Sequence, residues 1–532
     1  MYLMRNYSNT IFLILIIFLS IAIGFLFGSN FEKSISKKYG NSSINKLNKL
    51  ITYLSEDYVD KINTDSLVSV VIEDIVDELD PHSVYIPAVQ SKSIAESMQG
   101  NFYGIGVQFR ILQDTVSVTR VLEDGPSEKA GLLAGDRILI ADKDTLYQKK
   151  LTSEQIVSRL KGNSTTPVHL TIYRRKLDSI IEFDIVRGPV PLPSINASYM
   201  INNNTGYIKI NRFTQTTYLE FKKNILSLIN QEMKNLVLDL RGNPGGYLLP
   251  AKQIADDFLT SNQPIVIVEA NNGKREKTIS SANGIFEKGN LFILVDEDSA
   301  SASEVIAGAI QDNDRGLIIG RRTFGKGLVQ QQMPLGLGDQ IRLTTARYFT
   351  PTGRSIQRPY DSSSRKDYYA EIHNRYKTGE MQNPKNIPLN DSLIFTTPQG
   401  RKVYGGGGIT PDIYISSEVD EDEIWIKNII SSNIFDLFVF LELDKNSKNY
   451  NFDSAAKFFN EELPNKDEFI SSFKRFSKEY SLPIKVDNKF ESTILNSIKA
   501  HIALQLFNEN IFYRIINQTD PFVNRAILET KK

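Results

Sequence analysis

Ser301 is the first candidate for chemistry in this 532-residue chain. It stands in LFILVDEDSASASEVIAGAI (291–310), between a strand-like apolar run and a helix-like one. A helix that begins there aims backbone N–H groups at whatever binds. The same residues fit a capping box, Ser301 with Glu304, so a purely structural serine stays open at this point. A serine nucleophile needs a base. The four histidines are His82, His169, His373 and His501, and none is near Ser301 in sequence. A lysine can serve instead if burial leaves its amine neutral. RRTFGKGLVQQQ (321–332) places Lys326 among Phe324, Leu328 and Val329. If 325–330 is extended, Lys326 and Gln330 share one face, and Gln330 could orient the amine. A surface strand lysine fits that spacing equally well. His82, in the LDPHS turn (79–83), reads as a structural hydrogen-bonder, and Asp239 with Arg241 as a structural pair.

These residues need a scaffold that brings strand ends together. GYIKI (206–210), LVLDL (236–240), IVIVE, LFILVD and GLIIG alternate with helical patterns, an α/β order in which sites lie where strands end and helices begin. The glycine-rich turn RGNPGG (241–246) follows one such strand. Composition narrows the function classes. Lys+Arg and Asp+Glu are 62 each, so net charge gives no reason to expect nucleic acid as partner. No cysteine is present, which excludes a disulfide framework, a Cys nucleophile and Cys-based metal sites. No local His-His zinc motif exists.

The remaining segments divide the chain. Residues 1–30 hold Ile11–Gly28, an uncharged run of spanning length, read as a membrane anchor with a cleaved signal as rival. The flanking charge does not set its orientation. Residues 43–99 look helical, with Val68, Val71, Ile72, Ile75 and Leu79 at helical spacing. Residues 100–188 switch to short strands, with a helix at TSEQIVSRLKG whose capping box is Thr152 with Gln155. Residues 189–416 form the core, with a polar, poorly periodic insertion or exposed loop near 360–400. Residues 417–532 are helical and amphipathic and hold the only tryptophan, Trp425. Packing and self-association, including a homodimer, are the expected roles of this tail.

The 100–188 segment resembles a PDZ domain, most specifically in GPSEKAGLLAGDRIL (125–139). The resemblance implies that an extended peptide adds beside GVQFRI, against the helix carrying Ile156 and Leu160. The peptide's terminal carboxylate would lie in the turn Tyr103–Gly104–Ile105–Gly106, where glycines allow close approach of N–H groups. From about Ile44 to Ile415 the chain resembles the carboxyl-terminal processing (tail-specific) proteases, serine peptidases of the Ser-Lys type. LDPHS, the PDZ motifs, DLRGNPGG, SASASE, TFGKG, ARYFTPTGRSIQ and GGGITPD carry the likeness, in that order. It implies a strand-rich core of crotonase/ClpP-like type with an inserted PDZ domain. It makes Ser301 the nucleophile, Lys326 the base and Gln330 its support. The oxyanion donors would be the N–H groups of Ala302 and of Gly245 or Gly246. It implies no metal or cofactor, protein substrates with exposed C-termini, and a place in the cell envelope, on the periplasmic face of the inner membrane or free in the periplasm. Two other classes fit parts of the chain: a binding protein using the PDZ segment as scaffold, and acyl-CoA chemistry on a crotonase-like fold. The Ser301–Lys326–Gln330 set argues against both.

Overall fold

The structure, a computed structural model, describes residues 42–360, 365–417, 426, 429–430, 432–445, 454–463, 465–480, 482 and 488–531. The apolar stretch 11–28 and Trp425 lie outside them. Among the described residues no helix is long and apolar enough to cross a membrane.

The chain forms two units, 1–76 and 77–532. In the first, the described residues form helices Ser42–Glu56 and Thr64–Asp77, the second running one residue past the boundary. Of the predicted apolar stripe, Val68, Val71 and Ile72 are half-buried and Ile75 and Leu79 are exposed, while the buried residue is Val76, outside that stripe. The expectation of helix throughout 43–99 needs correction. A third helix, Ala88–Gln99, is preceded by a short strand, Val84–Ile86, which pairs antiparallel with Asp339–Phe349. Three residues are too few to show a strand period, and Pro81 and Pro87 flank the segment.

The core of the second unit is a six-stranded sheet. Its order is Ile195–Asn202, Thr205–Ile210, Asn235–Asp239, Asn290–Val295, Leu317–Gly320, Ile413–Tyr414. The first pair is antiparallel and the others are parallel. Helices Thr217–Ile229, Leu248–Phe258 and Ala302–Asp312 connect the parallel strands. Alternate residues serve two cores. Leu236, Leu238 and Leu240 join the helices on one face, while Val237, Phe292 and Leu294 meet Phe522, Val523 and Ala526 on the other. Burial on both faces explains why these strands read as unbroken apolar runs. A second sheet contains Leu328–Gly336, Asp339–Phe349 and Pro264–Ala270.

The 100–188 segment folds as a strand-rich domain. Its sheet runs Val107–Leu112, Thr115–Val121, Asp136–Ala141, Pro167–Arg174, Ser179–Val186. It enters and leaves through one ribbon, Asn101–Gly104 paired with Gly188–Pro191. The insertion is no exposed loop: it forms helix Arg365–Lys377, with Tyr368 and Arg375 buried, and a small hairpin, Ile394–Thr396 with Lys402–Tyr404. The tail forms helices with a core of its own, built on Phe435, Phe438 and Phe473.

Candidate active site

Three loops at the carboxyl ends of the parallel strands converge. The first is the glycine turn after Asp239. The Asn243 side chain bridges it to the neighbouring strand, donating to Ile210 O at 2.9 Å. The Asn243 carbonyl accepts from the Ala300 N–H at 3.0 Å and from the Ser303 hydroxyl at 3.0 Å. The second loop ends at Ser301, which has φ +56° and ψ −112°, a conformation that costs a non-glycine residue energy and marks a constrained position. Gly245 lies against it: a methyl group there would sit 2.7 Å from Ser301 Cβ and 3.1 Å from Ala302 N. That approach requires glycine. Gly245 N–H already donates to Asn243 Oδ1 at 2.9 Å. Among the described residues the Gly246 and Ala302 N–H groups have no hydrogen-bond acceptor and are free to donate.

The third loop brings Lys326. Its Nζ donates to Gln330 Oε1 at 2.8 Å, and Gln330 Nε2 donates to His82 O at 2.5 Å. The amide is thus fixed with its oxygen toward the amine. Burial pushes the Lys326 amine down to about 8. The Arg342 guanidinium pushes the same way, while Asp80 and Glu304 oppose. Spacing alone left a surface lysine open; in the structure the side chain is half-buried and its amine depressed. His82 is pushed down to about 3 by burial, then by Lys326, and stays neutral. Its Nε2 lies 3.1 Å from the Tyr368 hydroxyl, in keeping with a structural role.

Ser301 Oγ and Lys326 Nζ do not hydrogen-bond in this arrangement. Their backbones are joined through Glu304, which is fully buried. One Glu304 oxygen accepts from the Ser301 N–H at 2.8 Å and the Lys326 N–H at 2.9 Å. The other accepts from the Thr323 hydroxyl at 2.6 Å and the Gly325 N–H at 2.8 Å. Burial pushes this carboxyl up, and the four donors pull it back toward the ionised form that can accept from all of them. The Tyr348 hydroxyl lies between the carbonyls of Ser301, at 3.0 Å, and of Lys326. Sequence reasoning held Glu304 only as a cap partner and gave Tyr348 no role; its one signal was the motif ARYFTPTGRSIQ.

Asp239 and Arg241 pair as expected, Arg241 Nη2 donating at 2.6 Å. Burial would raise Asp239, but Arg241 and then Lys209 hold it well below the usual carboxylate range.

In the 100–188 domain, strand Val107–Leu112 lies at the sheet edge, with no described strand paired on its outer side. Gly104 pairs with Gly188 at the end of the entry ribbon, and Tyr103 beside it is exposed. The Ile105 and Gly106 N–H groups bond to no described residue. Ile156 and Leu160 are buried on helix Ser153–Leu160, whose Thr152–Gln155 capping box forms as expected.

A family model described as peptidase family S41 matches residues 204–361, and a PDZ domain model matches 104–185. A carboxy-terminal-processing protease of Bartonella bacilliformis is 34% identical over 308 residues, covering 56% of this chain and 69% of that protein. The carboxy-terminal processing protease CtpB of Bacillus subtilis is 30% identical over 338 residues, covering 62% and 70%. The solved structure of a photosystem II D1 C-terminal processing protease has 24% identity, with 71% of this chain and 88% of that one covered and a TM-score of 0.36.

Proposed function

Because the chain belongs to the carboxy-terminal processing proteases of peptidase family S41, we propose that it recognises protein substrates by their C-terminal tails and cleaves them with a Ser301–Lys326 dyad. The observation that carries this reading is the Glu304 carboxylate, which ties the backbone of Ser301 to that of a depressed-pKa lysine. Catalytic hydrogen bonds are often long or misaligned before substrate binds and tighten in the Michaelis complex. A rotation of the Lys326 side chain toward Ser301 is what the reaction needs.

In the reaction, neutral Lys326 takes the Ser301 hydroxyl proton as Oγ attacks a peptide carbonyl. The N–H groups of Ala302 and Gly246 hold the developing oxyanion. The C–N bond breaks as Lys326 returns the proton to the leaving amine. Water, deprotonated by the same lysine, then attacks the acyl-serine ester, and Oγ leaves with the proton. Gln330 keeps the amine aimed, and Glu304, Tyr348 and Asn243 hold the loops. The PDZ domain receives the substrate tail, its carboxylate at Ile105 and Gly106 N–H and its strand beside Val107–Leu112. We place the protein in the cell envelope, anchored or exported through 11–28; family membership and the apolar character of that run support this.

Tail recognition is testable on the substrate alone. Converting the terminal carboxylate of a peptide substrate to the carboxamide is expected to raise KM about tenfold or more, since charge-assisted hydrogen bonds are lost. The maximal rate should stay unchanged. Equal KM for acid and amide would remove the carboxylate from the account.

A further inference from the structure

One short segment near residue 520 touches two of the three active-site loops directly and reaches the third through Arg321. Asp520 Oδ2 accepts from Arg241 Nη1 at 2.8 Å, at the start of the glycine turn. Asp520 Oδ1 caps helix Pro521–Glu529, accepting from the N–H groups of Phe522 at 2.8 Å and Val523 at 3.0 Å. The Arg241 guanidinium lies 4.6 Å from the Phe522 ring centroid, and the Arg321 guanidinium lies 5.1 Å from it. Arg321 opens the loop that leads to Lys326. It also holds Glu297, on the loop leading to Ser301, with two hydrogen bonds at 2.7 and 3.1 Å. Phe522 presses on the strand end as well: a methyl at Gly320 would sit 3.1 Å from Phe522 Cε1. The ring is 7% exposed and shares an apolar cluster with Leu294 and Ile319.

These contacts do more than fill space. Arg241 already has Asp239 two residues before it, a partner that ties the turn only to the neighbouring strand, through Tyr207 and Lys209. Asp520 supplies a carboxylate from a different element. The Phe522 ring face attracts both guanidinium groups, an interaction that aliphatic packing lacks. Catalytic groups must be held to about 0.5 Å by the side chains behind them.

We infer that Asp520 and Phe522 are positioning residues, which lock the loops carrying Gly246, Ser301 and Lys326 into one arrangement. The inference rests on the Ser301–Lys326 reading. Its test uses the full chain, a tail-bearing peptide substrate and three variants. Asp520→Asn keeps the capping oxygen but loses the charge facing Arg241. Phe522→Leu keeps apolar bulk but loses the ring, and Phe522→Tyr keeps the ring face. The first two are expected to lower kcat about tenfold to a hundredfold, as displaced catalytic groups do. KM and the far-ultraviolet spectrum should not move, and Phe522→Tyr should recover most of the rate lost in Phe522→Leu. The inference is overturned if a folded Asp520→Asn or Phe522→Leu protein keeps native kcat, or if the loss only tracks the fraction unfolded. It is also overturned if Phe522→Tyr is as slow as Phe522→Leu. Ser301→Ala, run alongside, separates the two claims: cleavage by that variant at the native rate removes the dyad itself, whatever the others do.

Discussion

Ser301→Ala and Lys326→Ala are each expected to lower kcat by about four orders of magnitude or more, and the double variant is expected to lose no more than either single one. The reason is that nucleophile and base act as one device: a hydroxyl without a neutral amine is unactivated, and the amine without the hydroxyl has nothing to deprotonate. The residual rate would come from the oxyanion donors and from binding alone. Steady-state cleavage of a tail-bearing peptide by the three variants reads the effect directly. KM should change little, because neither side chain is assigned to tail binding. A Lys326→Ala protein within about tenfold of the native rate would place the base elsewhere, since removing a general base costs at least about 100-fold. Neutral, buried His82 would then be the next group to test, although its Nε2 is engaged by Tyr368.

The second large effect is expected at Glu304. Glu304→Ala strands four donors at once: the N–H groups of Ser301, Gly325 and Lys326, and the Thr323 hydroxyl. Stranding buried donors costs about 1–3 kcal/mol each where water cannot reach them, so with partial rehydration a loss of about 3–5 kcal/mol is expected. The melting temperature should fall clearly, and the fraction that remains folded should turn over slowly, because Ser301 and Lys326 are no longer tied to one carboxylate. Glu304→Gln is the informative companion. It keeps one acceptor oxygen but turns an NH2 group toward N–H donors, so it should retain more stability than alanine while still losing activity. If Glu304→Gln works at the native rate, the carboxylate bridge has no part in catalysis. Calorimetric melting together with kcat on the same preparations separates the two effects.

How much of this was legible in the sequence depended on the range of each contact. The Lys326–Gln330 pair was legible because two residues four apart on an extended backbone fall on one face, and the structure joins them at 2.8 Å. The Thr152–Gln155 box was legible for a similar local reason. Glu304 was visible only as a cap partner. Its other job depends on 323–326 folding back some twenty residues later, which no local spacing reveals. The insertion was misread because its inward contacts are polar by residue type. Arg375 is buried yet donates to the carbonyls of Arg322 at 3.0 Å and Thr323 at 2.9 Å, and Tyr368 packs beside His82. A hydropathy pattern counts such a helix as surface. The surface on which the tail packs was not legible for a related reason. Runs such as LVLDL and LFILV show that both sheet faces must be covered, but they do not say that a helix near residue 522 covers one of them.

The central claim is that Lys326, uncharged, deprotonates Ser301. The pH dependence of acylation measures this most directly, as the pre-steady-state rate at which a peptide ester substrate forms the acyl-serine, in the native protein and in Lys326→Met. The amine is depressed to about 8, chiefly by burial. Because the active form is the deprotonated one, the acylation rate should rise with pH through a single ionisation near that value and level off above it, and Lys326→Met should lose both the rate and the ionisation. An acylation rate that is flat across pH 6–9, or one that keeps the same ionisation in Lys326→Met, would contradict the account.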